Sequence, residues 1–180
     1  MFNGEKISLR SLELTDIHTI MKYWNDLSLR RDLGFIIPDS KEEREEWIRQ
    51  SWELKRVGKT YRLAIENLKT HEFLGHCSLN NINQINRTAT ASIAIYNVKE
   101  RGKGYGTDAM KVLLRIGFDY LNLHRIGLNV FETNRIAIHV YEKIGFKKVG
   151  TLRETDYIEG VYVNDVVMDI LENEWREMKK

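Results

Sequence analysis

Hydrophobic side chains in the first third of the chain recur at helical spacing, and a helix-start signal follows them. The first predicted helix has an apolar face, spaced i, i+3, i+4 and i+7, formed by Ile17, Ile20, Met21 and Trp24. Thr15 precedes this face at a position where its side chain can cap the helix. Ser40 and Glu43 then have the spacing of a capping box, which predicts a second helix running to about Arg56.

Alternating polar and apolar residues predict strands on either side of these helices. One short strand is expected over residues 6–10, before the first helix. Three more are expected after the second helix, over residues 61–66, 73–79 and 88–96. Polar stretches separate these three strands, so the pattern favours hairpin-type connections.

The second half of the chain alternates helices and strands. The clearest helical stripe consists of Met110, Leu113, Leu114, Gly117, Phe118 and Leu121. A strand over residues 125–130, a helix over 134–144 ending at Gly145, and strands over 146–152 and 161–171 follow. This order predicts an α/β (α+β) domain with a mixed sheet of about six to seven strands and about four helices.

Composition narrows the class of protein. The 180 residues suit one compact domain spanning residues 1–180, and a single proline with no repeat argues against a linker. A net charge of +2 is too small to imply nucleic-acid or membrane binding. Cys77 is the only cysteine, which favours a reducing compartment. With no apolar run resembling a signal peptide or a membrane span, we expect a cytoplasmic protein.

The most informative polar segment is a glycine-punctuated turn, RGKGYG, at residues 101–106. Glycines let a ligand approach the backbone closely. The helix that follows offers unpaired N–H groups and a partial positive charge at its start. Arg101 and Lys103 add cationic side chains. These features together are typical of an anion site suited to a pyrophosphate.

From these residues alone, other interpretations of glycine-rich turns are open. The turn can simply start a helix. It also fits a dinucleotide-binding fingerprint at Gly104, Gly106 and Ala109, but residues 97–101 separate it from the preceding strand and too little chain remains for further βαβ units. An ATP-type phosphate loop ending at Thr60 fails, because its leading glycine would fall at Glu53.

Two segments resemble signatures of the GNAT acetyltransferase superfamily. The R-x-x-G-x-G pattern of Arg101, Gly104 and Gly106 resembles its acetyl-CoA signature, and the segment from Asn134 to Phe146 resembles its second conserved helix. Their order, with a helix and a strand between them, makes the combination specific. The similarity runs from about residue 6 to about residue 172 and is nearest to the branch of ribosomal-protein N-terminal acetyltransferases and spermidine acetyltransferase.

The resemblance implies a GNAT fold with a splayed central strand pair, acetyl-CoA as cosubstrate and no metal. In such a fold the pantetheine arm pairs with the exposed backbone of the strand before the turn, where Ile93 and Ile95 are the implied contacts; plain core packing suits both equally. The implied pyrophosphate ligands are Arg101, Gly102, Lys103, Gly104, Tyr105, Gly106 and Thr107. Asn134, Tyr141 and Lys143 are further implied cofactor contacts, and an ordinary helix-capping role suits Asn134 as well.

Tyr141 is the implied catalytic residue. Its phenol would protonate the thiolate that leaves when a neutral amine attacks the thioester. Without the resemblance, the helical periodicity favours a structural role for Tyr141, as a tyrosine on the buried face of an amphipathic helix. Several relatives carry a glutamate, read as a general base, in the strand before the turn, but that position here is Ala91. The general base is therefore unassigned.

The expected function is transfer of an acetyl group from acetyl-CoA to a primary amine. A lysine-like or polyamine nitrogen has a pKa of about 10.4 and a peptide α-amine about 7.7–8.0, so a site without an evident base suits the α-amine better. We therefore expect a peptide or protein N-terminus as acceptor, bound between residues 23–33 and the hairpin at 157–165. The alternatives are a polyamine or other small amine, and a non-catalytic CoA-binding module; a homodimer is possible.

One observation points towards the polyamine alternative. Acidic residues cluster at the start of the second predicted helix: Glu42, Glu43, Glu45 and Glu46. Acids also favour helix N-termini in general, and neighbouring basic side chains can pair with them on a solvated face.

Overall fold

An eight-stranded mixed sheet organises the chain in the computed structural model, which describes residues 1–35 and 37–179. The strands are β1 (Phe2–Asn3), β2 (Ile7–Ser11), β3 (Tyr61–Asn67), β4 (Phe73–Asn83), β5 (Thr88–Ile95), β6 (Arg125–Phe131), β7 (Lys147–Ile158) and β8 (Val161–Leu171). Their order across the sheet is β1-β2-β3-β4-β5-β6-β8-β7. Neighbouring strands are antiparallel except β5 and β6, which are parallel.

Helices cover both faces of this sheet. They are α1 (Ile17–Trp24), α2 (Leu27–Asp32), α3 (Lys41–Arg56), α4 (Tyr105–Arg115), α5 (Arg135–Ile144) and α6 (Glu172–Glu177). The larger hydrophobic core packs α4 against the middle of the sheet, with Met110 and Leu113 almost fully buried. A second core lies under α1, α2 and α3 on the opposite face, around Trp24 and Ile48. Ligands reach the sheet only where these layers leave it open.

The parallel pair β5–β6 is joined over a short distance and then separates. Only three pairs of residues are in register, Thr88 with Arg125, Ala89 with Ile126, and Thr90 with Gly127. Beyond them β5 stays paired with β4 up to Ile95, and β6 stays paired with β8 up to Phe131. Each strand follows its antiparallel partner, so a gap opens between them.

These findings confirm the predicted mixed α/β fold with a splayed central pair, although the eight strands and six helices exceed the expected numbers. The elements that were not expected are β1, α2 and α6, and each has six residues or fewer. Helix α2 has six residues, too few for a periodic stripe, and its signal is the Asp26 side chain, which accepts hydrogen bonds from Ser28 and Leu29 N–H groups. Strand β7 is longer than expected because an exposed edge strand with bulges shows no clean alternation.

The predicted stripe that begins at Met110 ends in a different geometry. Residues Ile116–Tyr120 form a π-helical turn after α4. Gly117 lies inside it, and a methyl group at that position would be 2.5 Å from the end of Ile126. Ile116, Gly117 and Phe118 are buried in this turn, so the apolar stripe continues although the helix type changes. No helix within residues 1–35 and 37–179 is both long and apolar enough to cross a membrane.

The contact between β4 and the end of β5 gives a stability prediction. A Cβ atom at Gly75 would lie 1.9 Å from the backbone carbonyl oxygen of Ala94, which cannot swing aside as a side chain would. Gly75→Ala is therefore expected to reduce the free energy of unfolding by about 1–3 kcal/mol, the usual cost of overpacking. Denaturant titration measures this loss. The control is Gly150→Ala, since nothing lies within 4 Å of that Cβ position; equal stability of both variants would contradict the close packing at Gly75.

Candidate active site

The glycine turn lies at the open end of β5. After Ile95 the chain passes through a single 3₁₀ turn, Val98–Glu100, and enters α4 through Gly104. Gly104 has φ of 86°, in the left-handed region that glycine adopts without strain. The first N–H groups of α4 consequently begin where the strand pair has separated.

The turn packs directly against the β5 residues that the sequence selected. A Cβ atom on Gly106 would lie 3.8 Å from side-chain atoms of both Ile93 and Ile95. Nothing lies within 4 Å of the corresponding position on Gly102. The structure thus brings Ile93, Ile95 and the turn together, and leaves the outer backbone of the turn open. An exposed glycine backbone at a helix N-terminus fits a diphosphate group.

Both predicted cationic side chains of the turn are already paired with carboxylates. Arg101 donates from Nε to the Ile95 carbonyl oxygen at 3.1 Å and from Nη1 to Asp32 at 2.6 Å. Lys103 donates from Nζ to both carboxylate oxygens of Glu100, at 2.9 and 3.0 Å. Arg101 therefore fixes the end of β5 against α2, and its assignment as a pyrophosphate ligand stays a prediction, as does that of Lys103.

A cation missed by the sequence analysis lies beside the turn. Lys6 donates from Nζ to the backbone carbonyl of Lys103 at 2.9 Å. Its position is fixed by Asp108, whose carboxylate accepts the N–H groups of Glu5, Lys6 and Ile7 at 3.1, 2.7 and 3.1 Å. About a hundred residues separate these partners, so no local pattern could have indicated the contact.

The other turn residues contribute mainly backbone. The hydroxyl of Tyr105 accepts a hydrogen bond from Asn67 Nδ2 at 3.1 Å, so its side chain is turned towards β3. Thr107 is half-buried in the first turn of α4. Their predicted role as pyrophosphate ligands can then fall to their N–H groups.

Helix α5 carries the predicted catalytic tyrosine. Asn134 caps this helix, accepting the N–H of Ala137 at 3.1 Å, and Lys143 is exposed in its last turn. Tyr141 is half-buried, with its ring 5.8 Å from that of Phe146 in an edge-on arrangement. Burial raises the pKa of Tyr141 to about 12. At neutral pH the hydroxyl therefore holds its proton, as a proton donor must.

The strand before the turn carries no carboxylate near its splayed end. Ala91, at the position of the expected glutamate, is buried against the larger core. On the opposite face Ser92 shares a hydrogen bond with Ser78 at 2.7 Å, and Asn80 Nδ2 donates to both hydroxyls. This side of the splayed strand is polar and uncharged.

Carboxylates do occur on β8 and β7, the strands beyond β6 from the gap. Asp165 is only 9 % exposed and accepts a hydrogen bond from Asn129 Nδ2 at 3.3 Å. Burial, and then the neighbouring charge of Asp156, raises the pKa of Asp165 above its usual value. A Cβ on Gly34, just after α2, would lie 3.6 Å from the Asp156 carboxylate. The acceptor pocket expected from the sequence lies at this hairpin, but no role was expected for Asp156 or Asp165.

Other reactive side chains lie in packed surroundings. His76 is buried and hydrogen-bonded to the Tyr96 hydroxyl at 2.9 Å, and burial lowers its pKa to about 3, so the ring is neutral. Burial raises the pKa of the Cys77 thiol, which disfavours the nucleophilic thiolate. Among residues 1–35 and 37–179, no group of three or more His, Cys, Asp or Glu side chains is placed to hold a metal ion.

Comparison with known proteins decides the family. A model of the acetyltransferase (GNAT) domain matches residues 6–147. The chain belongs to the GNAT acetyltransferase family. It is an acetyl-CoA-dependent N-acetyltransferase, in which acetyl-CoA supplies an activated acetyl thioester and the protein holds it, orients the amine and moves protons.

Relatives in this family cover almost the whole chain. The spermidine N(1)-acetyltransferase of Escherichia coli K12 is 28 % identical over 97 % of this chain and 91 % of its own length. The putative ribosomal N-acetyltransferase YdaF of Bacillus subtilis is 29 % identical over 98 % of this chain and 97 % of its own. The crystal structure of Vibrio cholerae spermidine N-acetyltransferase in complex with CoA and spermine has a TM-score of 0.86 and 29 % identity, covering 96 % of this chain and 99 % of that one.

The Gly106 position tests the placement of the cofactor. Its Cβ would meet Ile93 and Ile95 at an ordinary 3.8 Å, so Gly106→Val is expected to fold. If the cofactor runs along β5 to the turn, the added side chain narrows the space between them and acetyl-CoA affinity falls by at least about tenfold, equivalent to about 1.4 kcal/mol. Isothermal titration calorimetry measures affinity, and circular dichroism confirms folding. Unchanged affinity in a folded variant would place the cofactor elsewhere.

The Tyr141 hydroxyl tests the proton donor. Tyr141→Phe removes only that oxygen and is expected to lower kcat roughly tenfold to a thousandfold, the range for loss of a general acid or a single donor. Acetyl-CoA affinity should change little, because the ring and its contact with Phe146 remain. A thiol-release assay measures kcat. A variant with wild-type kcat would remove Tyr141 from the mechanism.

Proposed function

We propose that the acceptor is a small polycationic amine of the polyamine class, in place of the peptide N-terminus expected from sequence. The observation that carries this proposal is the pair of carboxylates, Asp156 of β7 and Asp165 of β8, on the two strands next to β6, which borders the gap where the acetyl group would be presented. The charged group that bears on Asp165 is another carboxylate and not a cation. Two close carboxylates repel each other, and a cationic ligand relieves that repulsion.

Helix α2 and the β7–β8 hairpin enclose the proposed cleft. Arg31 of α2 forms an ion pair with Glu159 of the hairpin, and Asp32 is held by Arg101. The charged side chains of Arg31 and Asp32 are therefore occupied, and they do not neutralise Asp156 or Asp165. Phe35, which follows Gly34 at the mouth of the cleft, is 54 % exposed and offers an apolar surface to the methylene groups of such an amine.

Two relatives support the same acceptor class. The Escherichia coli and Vibrio cholerae proteins named as spermidine N-acetyltransferases match this chain over nearly their full lengths. The acidic cluster on α3 gives no additional support, since Glu45 pairs with both Lys41 and Arg49 on the exposed face of that helix. A peptide N-terminus is the second candidate, because the relative YdaF is named as a putative ribosomal N-acetyltransferase.

An acceptor panel tests the proposal. Thiol release is measured with spermidine, with butylamine, and with short peptides whose α-amine is free or blocked. We expect the highest kcat/KM with spermidine. Efficient turnover of free peptides without turnover of spermidine would overturn the polyamine proposal in favour of the second candidate.

Asp156→Asn tests whether this carboxylate binds a second ammonium group. We expect KM for spermidine to rise roughly tenfold or more, because a hydrogen bond to a charged group contributes about 1.5–3 kcal/mol. KM for butylamine, which has no second nitrogen, is the matched comparison and should change little. An equal effect on both amines would assign Asp156 to the structure of the hairpin instead.

A further inference from the structure

The acetyl transfer needs a group that accepts a proton from the amine. The neutral nitrogen forms a bond to the acetyl carbonyl carbon, and the carbon–sulfur bond breaks. The sulfur leaves as a thiol with the proton of Tyr141, and the tyrosinate recovers a proton from the acylated nitrogen. An amine that arrives as an ammonium ion carries one further proton, which it must lose before the attack. Ala91 occupies the position where relatives offer a glutamate. A side chain that takes the ammonium proton therefore has to come from another part of the fold.

Strand register places a polar line across the gap. The last pair in β5–β6 is Thr90 with Gly127, so two residues further on Ser92 and Asn129 lie on opposite sides of the gap. Side chains two residues apart on a strand lie on the same face. Asn129 reaches the next strand, β8, where its amide donates to the Asp165 carboxylate at 3.3 Å. Among these residues, Asp165 is the one that can accept a proton at neutral pH.

The carboxylates of Asp156 and Asp165 have different environments. Asp165 is 9 % exposed, and its pKa is raised by burial and by Asp156. Asp156 is more exposed, on the edge strand β7. Two carboxyl groups that differ in exposure and in hydrogen bonding are suited to different tasks, as proton acceptor and as charge partner.

We propose that Asp165 receives the proton that the acceptor ammonium loses before the attack, with its carboxylate held by Asn129 of β6, the strand that borders the gap. The proposal rests on the acceptor cleft of the proposed function, but not on which amine occupies it. The groups facing Asp165 are Asn129 from β6 and Asp156 from β7. Across the cleft α2 presents Arg31, whose charge is paired with Glu159.

The pH dependence of Asp165→Asn tests this role. The wild type can bind the ammonium form and move its proton to Asp165, so kcat/KM should be level between the pKa of Asp165 and that of the amine, about 10.4 for a polyamine. The Asn variant must bind the scarce neutral amine, so its kcat/KM should rise about tenfold per pH unit. At pH 7.5 we expect a loss of roughly a hundredfold to ten-thousandfold, the range for general base catalysis.

A matched variant and a stability measurement separate this role from a structural one. Asp169→Asn changes a carboxylate on the same strand that pairs with Arg125 at 2.6 Å, and its pH profile should match the wild type. The folded pKa of Asp165 lies above its unfolded value, so its ionised form costs stability once the pH exceeds that folded pKa. Asp165→Asn should therefore melt no lower than the wild type at pH 7.5. If it does not fold, Asp165→Ser serves, since it also lacks a titratable group.

The measurements use spermidine as the acceptor. If spermidine is not turned over, they use the amine of the acceptor panel that the enzyme does acetylate. Failure with spermidine and success with a peptide would overturn the proposed acceptor alone, and the pH profile would still test Asp165. A folded Asp165→Asn variant whose profile runs parallel to that of the wild type would overturn the role of Asp165, whatever the acceptor.

Discussion

The separation of β5 from β6 after three residue pairs is the constraint on which the rest of the site depends. A backbone strand inside a sheet normally has both edges hydrogen-bonded, and unpaired buried polar groups are costly. Here one edge of β5 faces a gap beyond Thr90. That edge is where we expect an extended, hydrogen-bonding cofactor arm, and the acetyl group would then lie between α5 on one face and the proposed acceptor cleft on the other.

Several long-range contacts keep this geometry in place. Arg101 binds the last carbonyl of β5 and Asp32 of α2, so one side chain joins the cofactor turn to the acceptor side. The next residue back along α2, Arg31, joins that helix to Glu159 of the hairpin. A short helix of six residues, Leu27–Asp32, thus connects the glycine turn with the β7–β8 hairpin.

The sequence predicted the fold well where local patterns are strong. The capping box at Ser40 and Glu43 is present, and the helix it begins ends at Arg56 as expected. The glycine turn and its neighbours Ile93 and Ile95 also come together. In these segments, periodicity, capping and glycine placement act over a few residues, so the sequence carries the information directly.

Features that depend on distant partners could not be predicted in this way. Asp108 and Lys6 meet across about a hundred residues, and Arg101 finds Asp32 only after α2 has folded onto the sheet. The surroundings of Asp165 likewise depend on the register of β6 with β8 and on the bulged hairpin beside it, which no local pattern shows. The resemblance to GNAT enzymes supplied Tyr141, but it gave no substitute for the glutamate replaced by Ala91.

Hydrogen–deuterium exchange with and without acetyl-CoA tests the central claim, that the cofactor pairs with the open edge of β5. The account predicts slower exchange at residues 91–95 and in the turn at 101–107, and no change in α3 on the far side of the sheet. Saturating acetyl-CoA that slows exchange elsewhere but leaves residues 91–95 unchanged would contradict it.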